Sequence, residues 1–462
     1  MAAAEKTGVP AIGIFCRGFT ESGVQACLGE GLTAPRMVEF PPPNIQTQTF
    51  DEIYENAKFI LDKVIQGLIE EPVVASEVPP QSEDASPRTI IFKGNLYEVN
   101  EFLYRQRFTD GLPVIPPTLE AVERMLKYTD RSPDEVVGVL RPARREATIW
   151  NIAVNGVMAG CPPEFMPLLI AVIEAVADPR FGLEHAGATQ SSTPAIFLNG
   201  PIRKELDFNS GQGAMRPERR GNMAVSRFLR LVMVNVCRYL VGSTDMGSFG
   251  RNYVPVLPEN EEESPWQPLS VDRGFEPGNN VVTVMLMHCM SDHWETAGSA
   301  EVMLNSLAIE VARELKSTVT PLVRFGPEMS PVIGLSAEIA HILSKAGYTK
   351  SDIKNYLFEK ARVPAYIFDE DLEKDQRGLT ACSAVKSGLI SKIFCESEDP
   401  QRLLPVVHNP GEFQIIVGGS MARCRGFVMG QAGAEGLATS KKIELPANWD
   451  NLPKSRKPIG IT

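Results

Sequence analysis

AAAEKTGVPAIGIFC, residues 2–16, reads as the end of a helix running into a strand, and that order decides how the rest of the chain is read. Alanine, glutamate and lysine are strong helix formers. Gly8 stands where helices close in a left-handed turn, which glycine enters without a Cβ clash. The run AIGIFC, residues 11–16, is short, apolar and free of charge, as a buried strand is. Helix and strand in alternation mark an α/β protein. Residues 9–70 keep to that alternation as strand, helix, strand, helix. In DEIYENAKFILDKVIQGLI, from Asp51, residues Ile53, Ala57, Ile60, Leu61, Val64 and Leu68 recur at helical spacing, and Asp51 is the expected N-cap. The expected fold class is α/β, a partial N-terminal Rossmann-like unit followed by a larger mixed α/β region.

Outward from that unit, residues 71–87 are polar, acidic and proline-bearing, the composition of an interdomain linker. A main α/β domain is expected over 88–325 and a C-terminal α/β lobe over 326–462. RTIIFKGNLYEV, from Arg88, alternates as two strands would around a turn at Gly94-Asn95. TIWNIAVNGVMAG and PEFMPLLIAVIEAVA read as two helices parted by Gly160-Cys161-Pro162-Pro163. PAIFLNGP (194–201) and VVTVMLMHC (281–289) are apolar enough to be buried strands, the second central in its sheet. Further on, AEVMLNSLAIEVARELKS reads as an amphipathic helix, TPLVRFG as a strand, and SAEIAHILSKAG as a helix closed by Gly347. TKSDIKNYLFEKA is a helix capped by Thr349.

The chain has 462 residues, a formal net charge of −11 and eight scattered cysteines. The acidic balance argues against nucleic acid or an anionic membrane surface as partner. No apolar run reaches the roughly 20 residues a membrane span requires. The cysteines form no CxxC pair, so reduced thiols and a cytoplasmic location are expected.

NSGQGAMRPERRGNMAVSRFLRLVMVNV, residues 209–236, carries the strongest site signal. A glycine-bearing loop with Asn209, Ser210 and Gly211 leads through Arg219 and Arg220 to a helix start at Asn222. Backbone N–H groups at such a start favour an anion, and guanidinium groups clamp one bidentately. Arg227 and Arg230, three apart, share a face of an otherwise apolar helix. Two arginines there need partners; a substrate carboxylate or phosphate would serve, and so would Asp245, Glu259 or Glu261. The spacing matches neither a nucleotide phosphate loop nor a dinucleotide fingerprint, so no cofactor is identified. Asp110, in the proline-stiffened loop FTDGLPVIPPT, and His288, at the end of the 281–289 strand, are candidate proton carriers. Cys161, opening a helix, is the candidate thiol nucleophile. His288 and His293 in HCMSDH are weak metal candidates, since their spacing fits no standard site.

Several stretches resemble the UGSC family of selenoproteins and their cysteine counterparts: DGLPVIPPT, VNGVMAGCPPEFMP, FLNGPIRKELDFNSGQGAM, RRGNMAVSRFLRLVMVNV, ENEEESPWQPLSVDRGFEP and KARVPA. GVPAIGIFCRGF through VIQGL is similar to the second half of that family's small α/β domain. The selenocysteine-Gly-Ser-Cys motif itself is absent. The resemblance therefore implies either a start downstream of an in-frame UGA codon or a shorter subunit whose redox motif sits on a partner or has been lost. It also implies redox or reductive-cleavage chemistry on a small metabolite.

The functional expectation is an enzyme, or a substrate-binding enzyme subunit, for a small anionic metabolite, with Arg219, Arg220 and Arg227 holding the anion. Two alternatives stand beside it: a metal- or cysteine-dependent lyase or hydrolase, and a non-catalytic assembly subunit of a redox complex. The partner expected is the small anion, in a homo-oligomer or in a hetero-oligomer with a subunit bearing UGSC or CGSC.

Overall fold

The structure is a computed structural model that describes residues 1–45, 48–71, 88–291, 294–325, 328–374, 380–431 and 436–455. All of the expected linker but Glu71 lies outside the described residues, as do Asp292 and His293. The fold is a mixed α/β arrangement.

The opening stretch forms the helix Ala2–Lys6, with Gly8 in the left-handed region at φ +81°, and then the strand Gly13–Cys16. That strand pairs in parallel with Met37–Phe40, and the helix Thr20–Gly29 crosses between them. The fourth element, Phe50–Ile69, begins at Thr49 rather than Asp51. Thr49 accepts from the Glu52 amide while Glu52 accepts from the Thr49 amide, a reciprocal pair that Asp51 has no glutamate three residues on to form. The expected burial of the first strand is corrected: Ile14 is 51% exposed. A sheet of two strands leaves much of its surface in water, and the core here is small, centred on Val38, Phe40 and Ile60.

The largest core surrounds a four-stranded sheet in the order Thr439–Lys442, Val281–Met287, Thr193–Asn199, Val256–Pro258. The two middle strands are antiparallel, and every residue of both is buried, which is why each reads as an unbroken apolar run. The helices Ile149–Ala159, Met166–Ala177 and Arg220–Asn235 add to the same core.

A second core gathers around the strands Gln414–Gly418, Val332–Ser336 and Arg425–Gly430, extended by Cys289–Met290 and Trp294–Glu295. Met303, Leu304, Leu307 and Val311 of the helix Ala300–Phe325 lie in this second core, whereas Ile443 and Trp449 lie in the first. The expected divide at 325/326 is thus corrected. The chain leaves the first sheet with Met287, enters the second at Cys289, and returns through Thr439–Lys442. No loop-like composition marks the crossing, because strand follows strand.

Two further readings are corrected. Residues 88–95 form no strand; Asn95 caps the helix Leu96–Arg105 through a reciprocal pair with Glu98. TPLVRFG continues the preceding helix as far as Phe325, since a short apolar run does not distinguish strand from helix. The expectation of reduced thiols throughout is corrected at one place: Cys382 and Cys395 are disulfide-bonded, which removes cysteine usage as an argument for a reducing compartment. Among the described residues no helix is long and apolar enough to cross a membrane.

Candidate functional site

The helix Arg220–Asn235 buries Val225, Phe228, Leu229 and Val232 against the first core. Arg220, Met223, Arg227 and Arg230 follow one another at spacings of three and four residues and therefore share the opposite face. That face borders a cavity of about 270 Å³ whose wall also holds Asp110, Leu112, Gly160, Asn252 and Tyr253.

Asp110 is delivered to this wall by a turn that its own residues shape. Its Oδ1 accepts from the Leu112 amide at 3.4 Å, the Thr109 hydroxyl accepts from the Gly111 amide at 3.2 Å, and Gly111 takes φ +91°, where a side chain would be strained. Asn100 Oδ1 accepts from the Val114 amide at 2.7 Å and ties the loop to the helix behind it. Gly160, at φ +80°, stops the helix Ile149–Ala159 at the cavity's edge. On the other side, Ser226 Oγ accepts from the Val254 amide at 3.1 Å and anchors the strand end after Asn252 and Tyr253.

The expected site residues divide into three groups. Asp110, Arg220 and Arg227 meet in the cavity. Arg227 Nε and Nη2 each donate to an Asp110 oxygen at 2.9 Å, and Nη2 also donates to the carbonyls of Leu112 and Pro113 at 3.2 and 2.8 Å. This is a bidentate, charge-assisted clamp. It corrects the assignment of Asp110 as a mobile proton carrier, because its oxygens are engaged by Arg227 and by the Leu112 amide. Arg220 is exposed and makes no ion pair among the described residues. Arg230 approaches Asp245 only to 4.0 Å, the outer limit of an ion pair.

The second group folds the loop and does not reach the cavity. Asn222 Nδ2 donates to the carbonyls of Asn209, Ala214 and Val256, and its Oδ1 accepts from the Asn209 amide. Asn209 Oδ1 accepts from the Gly211 amide, and the Ser210 carbonyl accepts from the Gly419 amide. The amide of Gly211 is therefore committed within the chain, and the expected cradle at Asn209, Ser210, Gly211 and Asn222 is corrected to a structural turn. Arg219 is locked to both oxygens of Asp207 at 2.9 and 3.0 Å. A glycine-rich loop read alone does not tell whether its amides meet a ligand or its own side chains.

The third group lies elsewhere. Cys161 is buried in the first core, and burial pushes its thiol far above the ordinary range, so it is corrected from nucleophile to packing residue. His288 sits at the crossing between the sheets, its amide donating to the Gly430 carbonyl at 2.8 Å, and it does not line the cavity. Burial, and then the neighbouring Arg251, hold its imidazole below the ordinary histidine range. Among the described residues no three His, Cys, Asp or Glu side chains converge as metal ligands.

Glu259 and Glu261 turn out to serve other partners. Glu259 is fully buried and accepts from the Leu269 amide and Asn199 Nδ2, both at 2.7 Å, while Glu261 pairs with Arg203. Sequence reading passed over Asn252, Tyr253 and Arg251. The signal available was the glycine-punctuated run GSFGRNY beside Asp245, a composition that bends sharply enough to fold back over a helix.

Comparison of the chain with protein-family models, with curated proteins and with solved structures yields no match.

Proposed function

We propose that the chain is an enzyme, or the substrate-binding subunit of one, acting on a small anionic metabolite held along the Arg220–Arg230 face. One observation carries this reading: the cavity is walled by three arginines, of which only Arg227 is fully neutralised. Among the described residues Arg220 pairs with no carboxylate, and Arg230 meets Asp245 at the limit of contact. A guanidinium fork matches a carboxylate or phosphate oxygen pair better than it matches water. The Asp110–Arg227 clamp closes one wall of the cavity between the other two arginines.

Among the described residues that line the cavity there is no thiol and no histidine. Covalent or proton chemistry would then come from a partner group, consistent with the resemblance to the UGSC family, whose chalcogen would attack the bound metabolite. On that view the redox or reductive-cleavage step belongs to the assembly, while this chain supplies recognition.

Thermal-shift titration of the full chain with a panel of small monocarboxylates tests the reading. Wild type is expected to gain stability with ligand, by about 2.7 kcal/mol when ligand reaches a hundredfold excess over Kd. R220Q and R230Q, if folded by circular dichroism, are expected to lose most of that gain. An identical ligand profile in wild type and both variants would end the proposal.

A further inference from the structure

The cavity beside the arginine helix does not end at Arg230. Arg230 and Asn252 form a partition, and on its far side lies a second cavity of about 160 Å³ bordered by Thr193, Asp245, Phe249 and Arg251. The loop that closes it is held in place: Ser191 Oγ accepts from the Phe249 amide at 3.1 Å, Asp245 Oδ1 accepts from the Gly247 amide at 3.2 Å, and the Gly187 carbonyl accepts from the Met246 amide at 2.9 Å.

The charges divide evenly between the chambers. The first is lined by Arg220 and Arg227 against Asp110, and the second by Arg251 against Asp245, with Arg230 shared at the partition. Across both chambers four guanidinium groups face two carboxylates. Arg251 forms no ion pair among the described residues, and the two groups that feel its charge, His288 and Glu314, do not line the chamber. Between Arg220 and the partition Leu112, Ala159, Met223 and Ala224 make an apolar strip, and the charged groups beside it, Asp110 and Arg227, are committed to each other.

We propose that the two chambers together bind one linear dicarboxylate, one carboxylate in each chamber and its methylene spacer along the Leu112–Met223 wall. This rests on the anion reading given above and names its substrate class. Two guanidinium groups in excess call for two negative charges, and the apolar stretch between them calls for a spacer without polar groups. Arg220 and Arg230 are ten residues apart on one helix, roughly 15 Å along its axis, so malonate and succinate are too short to engage both ends.

The test is isothermal titration of the full chain with hexanoate and with the diacids malonate, succinate, adipate and suberate. Affinity is expected to rise along the diacid ladder to an optimum beyond succinate, with adipate about tenfold or more tighter than hexanoate. In R251Q the preference for adipate over hexanoate is expected to shrink to about twofold, whereas R220Q weakens both ligands together. The melting temperature of each variant without ligand verifies that it is folded. Equal affinity for hexanoate and adipate in wild type would overturn the two-chamber site and leave the anion reading standing. An adipate preference that survives in R251Q would also overturn it, and no binding of either acid would remove both.

Discussion

Arg227 holds Asp110 with both arms of its guanidinium, and the pair closes one wall of the cavity. Both side chains are mostly shielded from water, so removing one partner strands the other. Asp110→Ala is expected to lower stability by about 1–3 kcal/mol, and adding Arg227→Ala is expected to cost little more. A double-mutant cycle by urea denaturation measures this; strictly additive losses would show that the two side chains are not coupled. The same scale explains why burial works against Cys161 as a nucleophile. Its position at a helix entrance suggests an activated thiol, but an apolar shell penalises the thiolate more than the helix end favours it.

Among the elements, the helix Leu96–Arg105 shows how a local signal competes with a pattern. Alternating residues in RTIIFKGNLYEV suggest a hairpin, yet the Asn95–Glu98 reciprocal cap starts a helix instead, leaving Ile90 and Ile91 exposed. This helix matters for the site because its Asn100 Oδ1 accepts from the Val114 amide in the loop that carries Asp110. Asn95→Ala is expected to cost about 1 kcal/mol and to speed hydrogen exchange of the amides in residues 96–105 and at Val114. If exchange changes in the helix but not at Val114, the loop is held independently of its cap. The arginine helix is simpler: its apolar positions face the core, and Arg220, Met223, Arg227 and Arg230 on the other side border the cavity.

For the molecule as a whole, the two sheets are joined by a shared apolar cluster, in which Phe197, Met285 and Met287 meet Val332, Ile416 and Met429, and by hydrogen bonds at the corner of Glu259. Glu259 Oε1 accepts from the Val417 amide at 3.3 Å and its Oε2 from the Leu269 amide, while the Asn260 amide donates to the Val417 carbonyl at 2.8 Å. Stability of the assembled lobes is expected to depend on pH through Glu412. Burial pushes its carboxyl up to about 7, opposed by the His408 amide it accepts from. A carboxyl raised on folding is protonated more readily in the native state, so its contribution is complete below the unfolded value near 4.5 and is lost as pH rises through about 7. Wild type is expected to lose on the order of 1–3 kcal/mol between pH 5 and pH 8 from this group. Glu412→Gln is expected to flatten the dependence in that window, read from melting temperatures across pH. A variant curve parallel to wild type would assign the dependence to other groups.

Sequence by itself determined the α/β class, the buried strands Thr193–Asn199 and Val281–Met287, and the capped helix Lys350–Lys360. Those features are local: a run of apolar residues, or a threonine three before an aspartate, carries its own physical cause. The arginine face was legible for the same reason, since helical spacing places Arg227 and Arg230 together. What each arginine meets was decided only by tertiary structure. Asp110 lies 117 residues from Arg227 along the chain, and Asp245 comes to Arg230 through a loop whose path depends on its contacts with residues 187–191. Charge pairing is set by distance in space, and a sequence lists the charges without their separations. The lobes separate where one strand follows another with no loop between, so only the packed cores reveal the boundary.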